Sequence, residues 1–194
     1  MRAGKRQAAL VVAVPAAVLA ALSTQTWVTG RANDVLSHGT TSVTGTEAMP
    51  AVIGLAIVAV AALLALMTGG RAIRAVSAVL LVLASLGALA LVLLVALRPT
   101  QVVADAVARE LARTTAPEAT GSATGPAWLA AVVAVVLVAG AVLAASWSRG
   151  WGGLGTRYER GARPAAGPRG EVRSTWDDLT DGRDPTVGDR PRDE

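Results

Sequence analysis

Four long apolar stretches without a charged residue or a histidine constrain this chain more than any other feature of its sequence. They cover residues 8–22, 51–67, 75–97 and 127–147. Each extends through small or weakly polar neighbours to about 20 residues, which as a helix spans the roughly 30 Å hydrocarbon core of a bilayer. The stretches lack the in/out alternation of membrane β-strands, so helices are the structure that satisfies their backbone hydrogen bonds in lipid.

The sequence therefore predicts an all-α, polytopic membrane protein: a four-transmembrane-helix bundle with a disordered cytoplasmic C-terminal tail. Hydrophobic residues make up 53% of the 194-residue chain, and most of them belong to the spans, so the sequence predicts no separate soluble core. The predicted spans are residues 8–28, 48–68, 75–97 and 126–148.

Lysine and arginine are distributed unevenly between the segments outside the spans. Residues 1–7, the turn of residues 69–74 and the tail of residues 149–194 together carry 14 of the 18 basic residues. The loops of residues 29–47 and 98–125 carry the remaining four. By the positive-inside rule, this asymmetry predicts a multi-pass plasma-membrane protein with both termini in the cytoplasm and two outer loops.

The first span has an alternative interpretation. A basic start with Arg2, Lys5 and Arg6, then about fifteen apolar residues and small residues near Ala20, also resembles a secretory signal peptide. We favour an uncleaved helix, because continuation to Trp27 gives a span of full length that ends in an interfacial aromatic residue.

Four of the five tryptophans fall at the ends of predicted spans. Trp27 and Trp128 fall at the outer ends of the first and fourth spans, and Trp147 and Trp151 at the inner end of the fourth. An amphipathic indole is best placed at the boundary between lipid and water. These four residues are therefore predicted to be membrane-interface anchors.

The first outer loop, residues 29–47, is rich in glycine, threonine and serine and is predicted to be a short exposed connector. It holds the only histidine, His38, with Asp34 and Glu47 as its acidic residues, and the chain has no cysteine. This set is too small to form a metal site or an acid/base pair. The sequence thus predicts no catalytic, cofactor-binding or metal-binding residue, and no enzyme.

The second outer loop, residues 98–125, contains a helical pattern. Val103, Val107 and Leu111 recur every four residues, which predicts a short amphipathic helix on the outer membrane surface followed by a flexible linker. A solvent-exposed extension of the third span explains the same pattern.

The tail is polar and rich in glycine, proline and arginine, and its basic start is expected to lie against anionic lipid rather than nucleic acid. Residues 174–182 differ from the rest. Ser174 can cap a short helix that places Trp176 and Leu179 on one face, and Gly182 can end it. We expect Trp176 and Leu179 to dock on a partner, either a cytoplasmic protein or the chain's own cytoplasmic face.

A set of matching features gives the chain a family resemblance. Besides the four spans and the two-arginine turn, they are Thr-Trp-Val at residues 26–28, Arg-Pro at residues 98–99, Trp-Asp-Asp-Leu at residues 176–179 and Gly-Arg-Asp-Pro-Thr at residues 182–186. In these the chain resembles the tryptophan-biosynthesis-associated membrane proteins of actinobacteria, also described as Trp operon-associated conserved membrane proteins. The resemblance implies a gene beside those for tryptophan biosynthesis, and it brings no established catalytic residues.

Two functions are compatible with these features. The first is a non-enzymatic accessory protein of the plasma membrane, associated with tryptophan biosynthesis, whose tail contacts a partner. The second is a small multipass transporter that exports an aromatic metabolite. Coupled transport usually requires ionisable groups inside the membrane, and the spans contain none, so the accessory function is favoured. The oligomeric state is left open.

Overall fold

Long helices and a small sheet make up the described chain. The structure, a computed structural model, describes residues 4–32, 39–112, 114–115 and 117–151. In chain order, the elements are α1 (Lys5–Ser23), β1 (Thr26–Ala32), β2 (Thr41–Thr44), α2 (Gly45–Ala48), α3 (Ala51–Thr68), α4 (Arg71–Leu97), α5 (Pro99–Glu110), β3 (Ala119–Ala123) and α6 (Gly125–Ser148). Four of these helices, α1, α3, α4 and α6, are long and apolar enough to cross a membrane, which confirms the predicted four-span architecture.

The four spanning helices form a bundle in which α1 and α4 each pack against both α3 and α6. Its core is built largely of alanine, valine and leucine, and about a third of each span is buried inside the bundle. The opposite faces expose large apolar side chains such as Leu10, Ile57 and Val132. Because lipid is as apolar as these side chains, close packing of small residues, rather than hydrophobic drive, holds such a bundle together.

The turn between α3 and α4 is short because two glycines interrupt the helices. Gly69 is the C-cap of α3, and Gly70 has an extended backbone as the N-cap of α4. The turn is shorter than the predicted residues 69–74, since α4 begins at Arg71, and it makes α3 and α4 antiparallel neighbours. The end of the bundle that carries this hairpin, the start of α1 and the end of α6 is called the tail end below.

At the opposite end, the structure holds a three-stranded antiparallel sheet with the order β2-β1-β3. Val28 of β1 pairs with Val43 of β2 on one side and with Ala123 of β3 on the other. Helix α5 covers one face of the sheet, where Val103 and Val107 are buried. This layer of sheet, α2 and α5 is called the sheet end below.

The sheet corrects the sequence-based picture of the loops. The composition of residues 29–47 predicts an exposed connector, but these residues supply part of β1 and all of β2 and most of α2. Helix α1 also ends at Ser23, five residues before the predicted end of the first span at residue 28. β-Branched residues explain the change, because Thr26, Val28 and Thr29 favour a strand once another strand is available to pair with them.

The second loop also differs from the prediction. The amphipathic helix exists as α5, but its apolar stripe packs on the sheet, so it is neither a free surface helix nor an extension of α4. The backbone breaks at Arg98, just before Pro99. The flexible linker expected after this helix instead forms β3, which pairs with β1 along its whole length.

Two glycines let α5 approach the sheet. Gly30 and Gly121 are directly opposite each other in β1 and β3. A Cβ atom at Gly30 would lie 2.8 Å from Cγ2 of Val103, and one at Gly121 would lie 2.9 Å from the carbonyl oxygen of Pro99. A larger residue at Gly121 would displace α5, and one at Gly30 would conflict with both α5 and the backbone of Thr120 in β3, so this pair allows α5 and the strands to approach closely.

Candidate functional site

A groove at the sheet end lies between strand β2 and helix α5 and has a volume of about 260 Å³. Val43, which is buried, and Ala106 give it an apolar lining, and Thr41 and Ser42 contribute hydroxyl groups. Glu47, Arg109 and Glu110 contribute charge. Apolar lining beside a few polar groups is typical of sites for small molecules.

A reciprocal cap between Thr44, at the end of β2, and Glu47, in α2, holds the side chain of Glu47 in place. Thr44 is the N-cap of α2, and its hydroxyl accepts a hydrogen bond from the Glu47 backbone at 3.3 Å. In return, Oε2 of Glu47 accepts from the backbone N–H of Thr44 at 2.8 Å and from its hydroxyl at 2.9 Å. This is the Ser/Thr-x-x-Glu capping box, a signal that is present in the sequence.

These bonds determine the ionisation of Glu47. The backbone hydrogen bond from Thr44 and then the bond from its hydroxyl hold the pKa of the carboxyl below its ordinary value, and the nearby positive charge of Arg109 lowers it further. Glu47 therefore carries a full negative charge at neutral pH and lines the groove, and its Oε1 has no hydrogen-bond partner among the described residues.

Arg109 supplies the positive charge of the groove from the last turn of α5. Its Nε donates to the backbone oxygen of Asp105, one turn earlier, at 3.2 Å. Among the described residues, no acceptor engages its two terminal nitrogens, and it forms no ion pair with Glu47 or Glu110. The groove thus holds opposite charges that influence each other without neutralising each other by direct contact.

A second groove lies on the sheet and is lined mostly by hydroxyl groups. It has a volume of about 390 Å³, and Thr29, Thr40, Thr120 and Ser122 contribute its side chains together with Arg31. Nε of Arg31 donates to the hydroxyl of Thr40 at 3.4 Å. This groove is wider and lacks a carboxylate, so its chemistry is less distinctive.

At the tail end, Arg74 connects three segments. Its guanidinium donates from Nη1 to the backbone oxygens of Ser148 at 3.3 Å and Trp151 at 2.6 Å, and from Nη2 to that of Gly69 at 3.3 Å. Nε is buried and has no hydrogen-bond partner among the described residues. Because the carbonyl groups at a helix C-terminus carry partial negative charge, one arginine here stabilises the ends of both α3 and α6.

Lys5 forms a similar contact, since its Nζ donates to the backbone oxygen of Met67 in the last turn of α3 at 2.8 Å. The described residues of the tail end include five basic side chains and no acidic one; the basic residues are Lys5, Arg6, Arg71, Arg74 and Arg149. At this end, Lys5 and Arg74 therefore donate hydrogen bonds to carbonyl groups at helix ends, and the other basic side chains are exposed.

The predicted tryptophan anchors occupy different environments. Trp27 is fully buried, its Nε1 donates to the backbone oxygen of Leu22 at 2.8 Å, and its ring packs against Gly45. The structure thus corrects the prediction for Trp27: the indole joins the end of α1 to the sheet layer instead of facing lipid headgroups. The reason is the early end of α1, which moves Trp27 from a helix surface into a strand.

The other three anchors lie in α6 or just after it. Trp128 is 49% exposed near the start of α6, whereas Trp147 and Trp151 are partly buried against the core. Their role as membrane-interface anchors stays a prediction. Trp176 and Leu179, which are predicted to dock on a partner, and also Asp34 and His38, lie outside the described residues.

No metal centre is evident in the described part of the chain, where no group of three or more histidine, cysteine or acidic residues is close enough to hold an ion. The sequence does not predict the charged groove, because Glu47 and Arg109 belong to two separate loops of the chain. The capping box at Thr44 and Glu47 is visible in the sequence, but the proximity of Glu47 to Arg109 depends on the sheet.

Fold and charge distribution define a class: a four-span integral membrane protein with a folded layer at one end and a basic opposite end. The chain belongs to the family described as tryptophan-associated transmembrane protein (Trp_oprn_chp), whose model matches residues 9–186. The family resemblance seen in the sequence is thereby confirmed. Comparisons with curated proteins and with solved structures found no match.

Proposed function

We propose that the protein is a non-enzymatic accessory protein of the plasma membrane that functions in association with tryptophan biosynthesis. In this proposal the tail end faces the cytoplasm, the sheet end faces outwards, and the tail binds a cytoplasmic partner through Trp176 and Leu179. The family description supports the association with tryptophan, and the four spans support the membrane location.

The charge difference between the two ends supports this orientation. Five basic and no acidic side chains lie at the tail end of the described chain, whereas the described sheet end has three basic residues, Arg31, Arg98 and Arg109, and four acidic ones. Basic residues close to the spans stay in the cytoplasm during insertion. The tail, which starts at the basic end, is expected to follow them.

The fixed start of the tail is the observation that carries the proposal. Arg74 holds the backbone of Ser148 and Trp151, so the last turn of α6 and the first residues after it are tied to the α3–α4 hairpin. A tail that begins at a defined point of the bundle keeps residues 174–182 tethered to it, where a partner can bind them.

The packed bundle favours an accessory role over transport. The buried polar side chains in the described spans are serines, and Ser23, Ser85 and Ser148 each donate to a carbonyl of their own helix. Ion-coupled transporters place ionisable groups in the membrane interior. Export of an aromatic metabolite remains the alternative, and it would require a path between copies of the chain.

A pull-down from detergent-solubilised cells tests the proposal. We compare the full chain with a chain truncated after Arg173, and with a variant that carries Trp176→Ala and Leu179→Ala. A matched control carries Thr175→Ala and Thr180→Ala in the same segment. The proposal predicts that one cytoplasmic protein is lost from the truncation and the Trp176/Leu179 variant but is retained by the control.

Two results would contradict the proposal. If all four chains retain the same proteins, the tail is not a docking segment. If the tail variants retain the same proteins and cells that produce any of the four chains export more tryptophan than cells without the protein, export becomes the better explanation. A measurement of tryptophan efflux in the same strains therefore accompanies the pull-down.

A further inference from the structure

The groove between β2 and α5 contains the charges that recognise one kind of small molecule. Glu47, Arg109 and Glu110 all line it, and Arg109 is near enough to Glu47 for its charge to act on the Glu47 carboxyl, although the two form no ion pair. A ligand that fits between them should carry a positive and a negative group only a few atoms apart. The backbone of a free α-amino acid has this arrangement, whereas the end of a peptide carries one charge.

We propose that this groove binds the zwitterionic head of a free α-amino acid, with the carboxylate on Arg109 and the ammonium group on Glu47 and Glu110. The proposal is independent of the function proposed for the tail, since it concerns the other end of the bundle.

The residues that line the groove offer hydrogen-bond donors for the carboxylate of an amino acid and acceptors for its ammonium group. The terminal nitrogens of Arg109 are not engaged by described residues, and a guanidinium can bind a carboxylate through two parallel bonds. An ammonium group has three donors. The free oxygen of Glu47, the carboxylate of Glu110 and a hydroxyl of Thr41 or Ser42 provide three acceptors along the same groove.

Hydrogen bonds within the protein already hold the two charged side chains of the groove in place. The cap with Thr44 fixes the carboxylate of Glu47 through bonds of 2.8 and 2.9 Å, and the bond to Asp105 at 3.2 Å restrains the guanidinium of Arg109. A ligand therefore meets two side chains whose orientation is already restrained, which lowers the entropy lost on binding.

Size and lining limit the ligand further. A volume of about 260 Å³ suits a single small metabolite. Val43 and Ala106 provide an apolar surface for the side chain of the amino acid. The site thus favours an amino acid with an apolar or aromatic side chain, and we expect binding in the millimolar range because water reaches the groove.

Equilibrium binding of radiolabelled L-tryptophan to the full chain in nanodiscs tests the proposal. We choose L-tryptophan because its side chain is apolar and because the family is described as tryptophan-associated. Saturable binding with a Kd of about 1 mM is expected. N-Acetyl-L-tryptophan lacks the ammonium group and tryptamine lacks the carboxylate, so each should compete at least about tenfold less well.

The variant Arg109→Gln identifies the site. It should weaken the binding of L-tryptophan about tenfold and leave the weak binding of tryptamine unchanged, because tryptamine has no carboxylate. Arg98→Gln is the matched control, since Arg98 is also exposed at the sheet end but does not line the groove. It should bind L-tryptophan as the unmodified chain does.

Three outcomes would overturn the proposal. The first is no saturable binding of L-tryptophan up to about 10 mM. The second is an equal effect of Arg109→Gln and Arg98→Gln. The third is equal competition by L-tryptophan, N-acetyl-L-tryptophan and tryptamine, which would indicate partition of the indole into lipid.

Discussion

The backbone carbonyl of Val11 in α1 is affected by Pro15 in the same helix and by Gly140 in the neighbouring helix α6. Pro15 of α1 lacks an N–H, so the carbonyl of Val11, one turn earlier, loses its partner within the helix. The structure brings Gly140 of α6 against this oxygen, so closely that a Cβ atom at Gly140 would overlap it. The α-hydrogens of glycine can form weak hydrogen bonds to such a carbonyl. Pro15 therefore leaves the Val11 carbonyl without its partner in α1, and Gly140 covers that carbonyl from α6.

Replacement of Gly140 by alanine should therefore destabilise the bundle. The added Cβ must displace α1 from α6, and overpacking of this kind costs about 1–3 kcal/mol. Gly54→Ala is the control, because a Cβ atom added at Gly54 in α3 would meet no other atom within 4 Å. The unfolding midpoint in SDS should fall for Gly140→Ala and stay equal or rise for Gly54→Ala. Equal midpoints for the two variants would contradict the contact.

Protonation of Glu47 should loosen α2. The folded pKa of Glu47 lies below its unfolded value, so the cap contributes stability at neutral pH and loses it as the pH falls through the folded pKa. Hydrogen exchange of the Thr44 amide should accelerate as the pH drops through the folded pKa, which lies below the ordinary pKa of a glutamate carboxyl, and this acceleration should exceed the intrinsic pH dependence. In Glu47→Gln this additional acceleration should disappear. If both chains show the same pH profile, the carboxylate does not control the cap.

Among the elements, the sheet layer depends most on contacts between distant parts of the chain. Helix α5 rests on Gly30 and Gly121, which come from strands separated in the sequence by two of the spans. The apolar spacing of Val103 and Val107 is sufficient to predict the helix, but it does not specify the surface that the helix covers. Strand β3, Ala-Thr-Gly-Ser-Ala, alternates small and hydroxyl residues but has no large apolar side chain, so its pairing with β1 is not predictable from local sequence.

Gly121→Val should release α5 from the sheet. The new side chain would meet the Pro99 carbonyl oxygen and Cγ2 of Val103 within about 3 Å. Ser122→Val at the next, exposed position is the control, since valine suits a strand and Ser122 faces away from α5. Amide exchange across residues 100–110 should become faster in Gly121→Val and stay unchanged in Ser122→Val. Unchanged exchange in both variants would mean that α5 does not depend on this contact.

Arg74 should determine how firmly the end of α6 is held. Arg74→Gln removes a charged donor from the carbonyl groups of Ser148 and Trp151. A loss of about 1 kcal/mol in local stability makes the end of α6 open about five times more often. Limited trypsin cleavage after Arg149 should accelerate by that factor, as measured by mass spectrometry. Arg71→Gln, in the same turn but exposed, should leave the rate unchanged. Equal rates in the two variants would contradict the role of Arg74.

On the scale of the whole molecule, the sequence predicts the spans better than their ends. Uninterrupted apolar runs identify α3, α4 and α6, because a bilayer imposes a minimum length on any helix that crosses it. The early end of α1 and the charged groove were not predictable, because both depend on a sheet whose strands β1 and β3 come from distant parts of the chain. Trp27 shows the consequence: a residue expected at the lipid interface is instead buried in that layer.

The orientation of the bundle is tested most directly by labelling single cysteines, because the chain has none of its own. Ser122→Cys places a thiol at the exposed sheet end, and Gly70→Cys and Gly150→Cys place thiols at the tail end without steric conflict. A membrane-impermeant maleimide should label Ser122→Cys in intact cells and should label the other two only after permeabilisation. Labelling of Gly70→Cys and Gly150→Cys in intact cells, with Ser122→Cys protected, would place the tail outside and contradict a cytoplasmic partner.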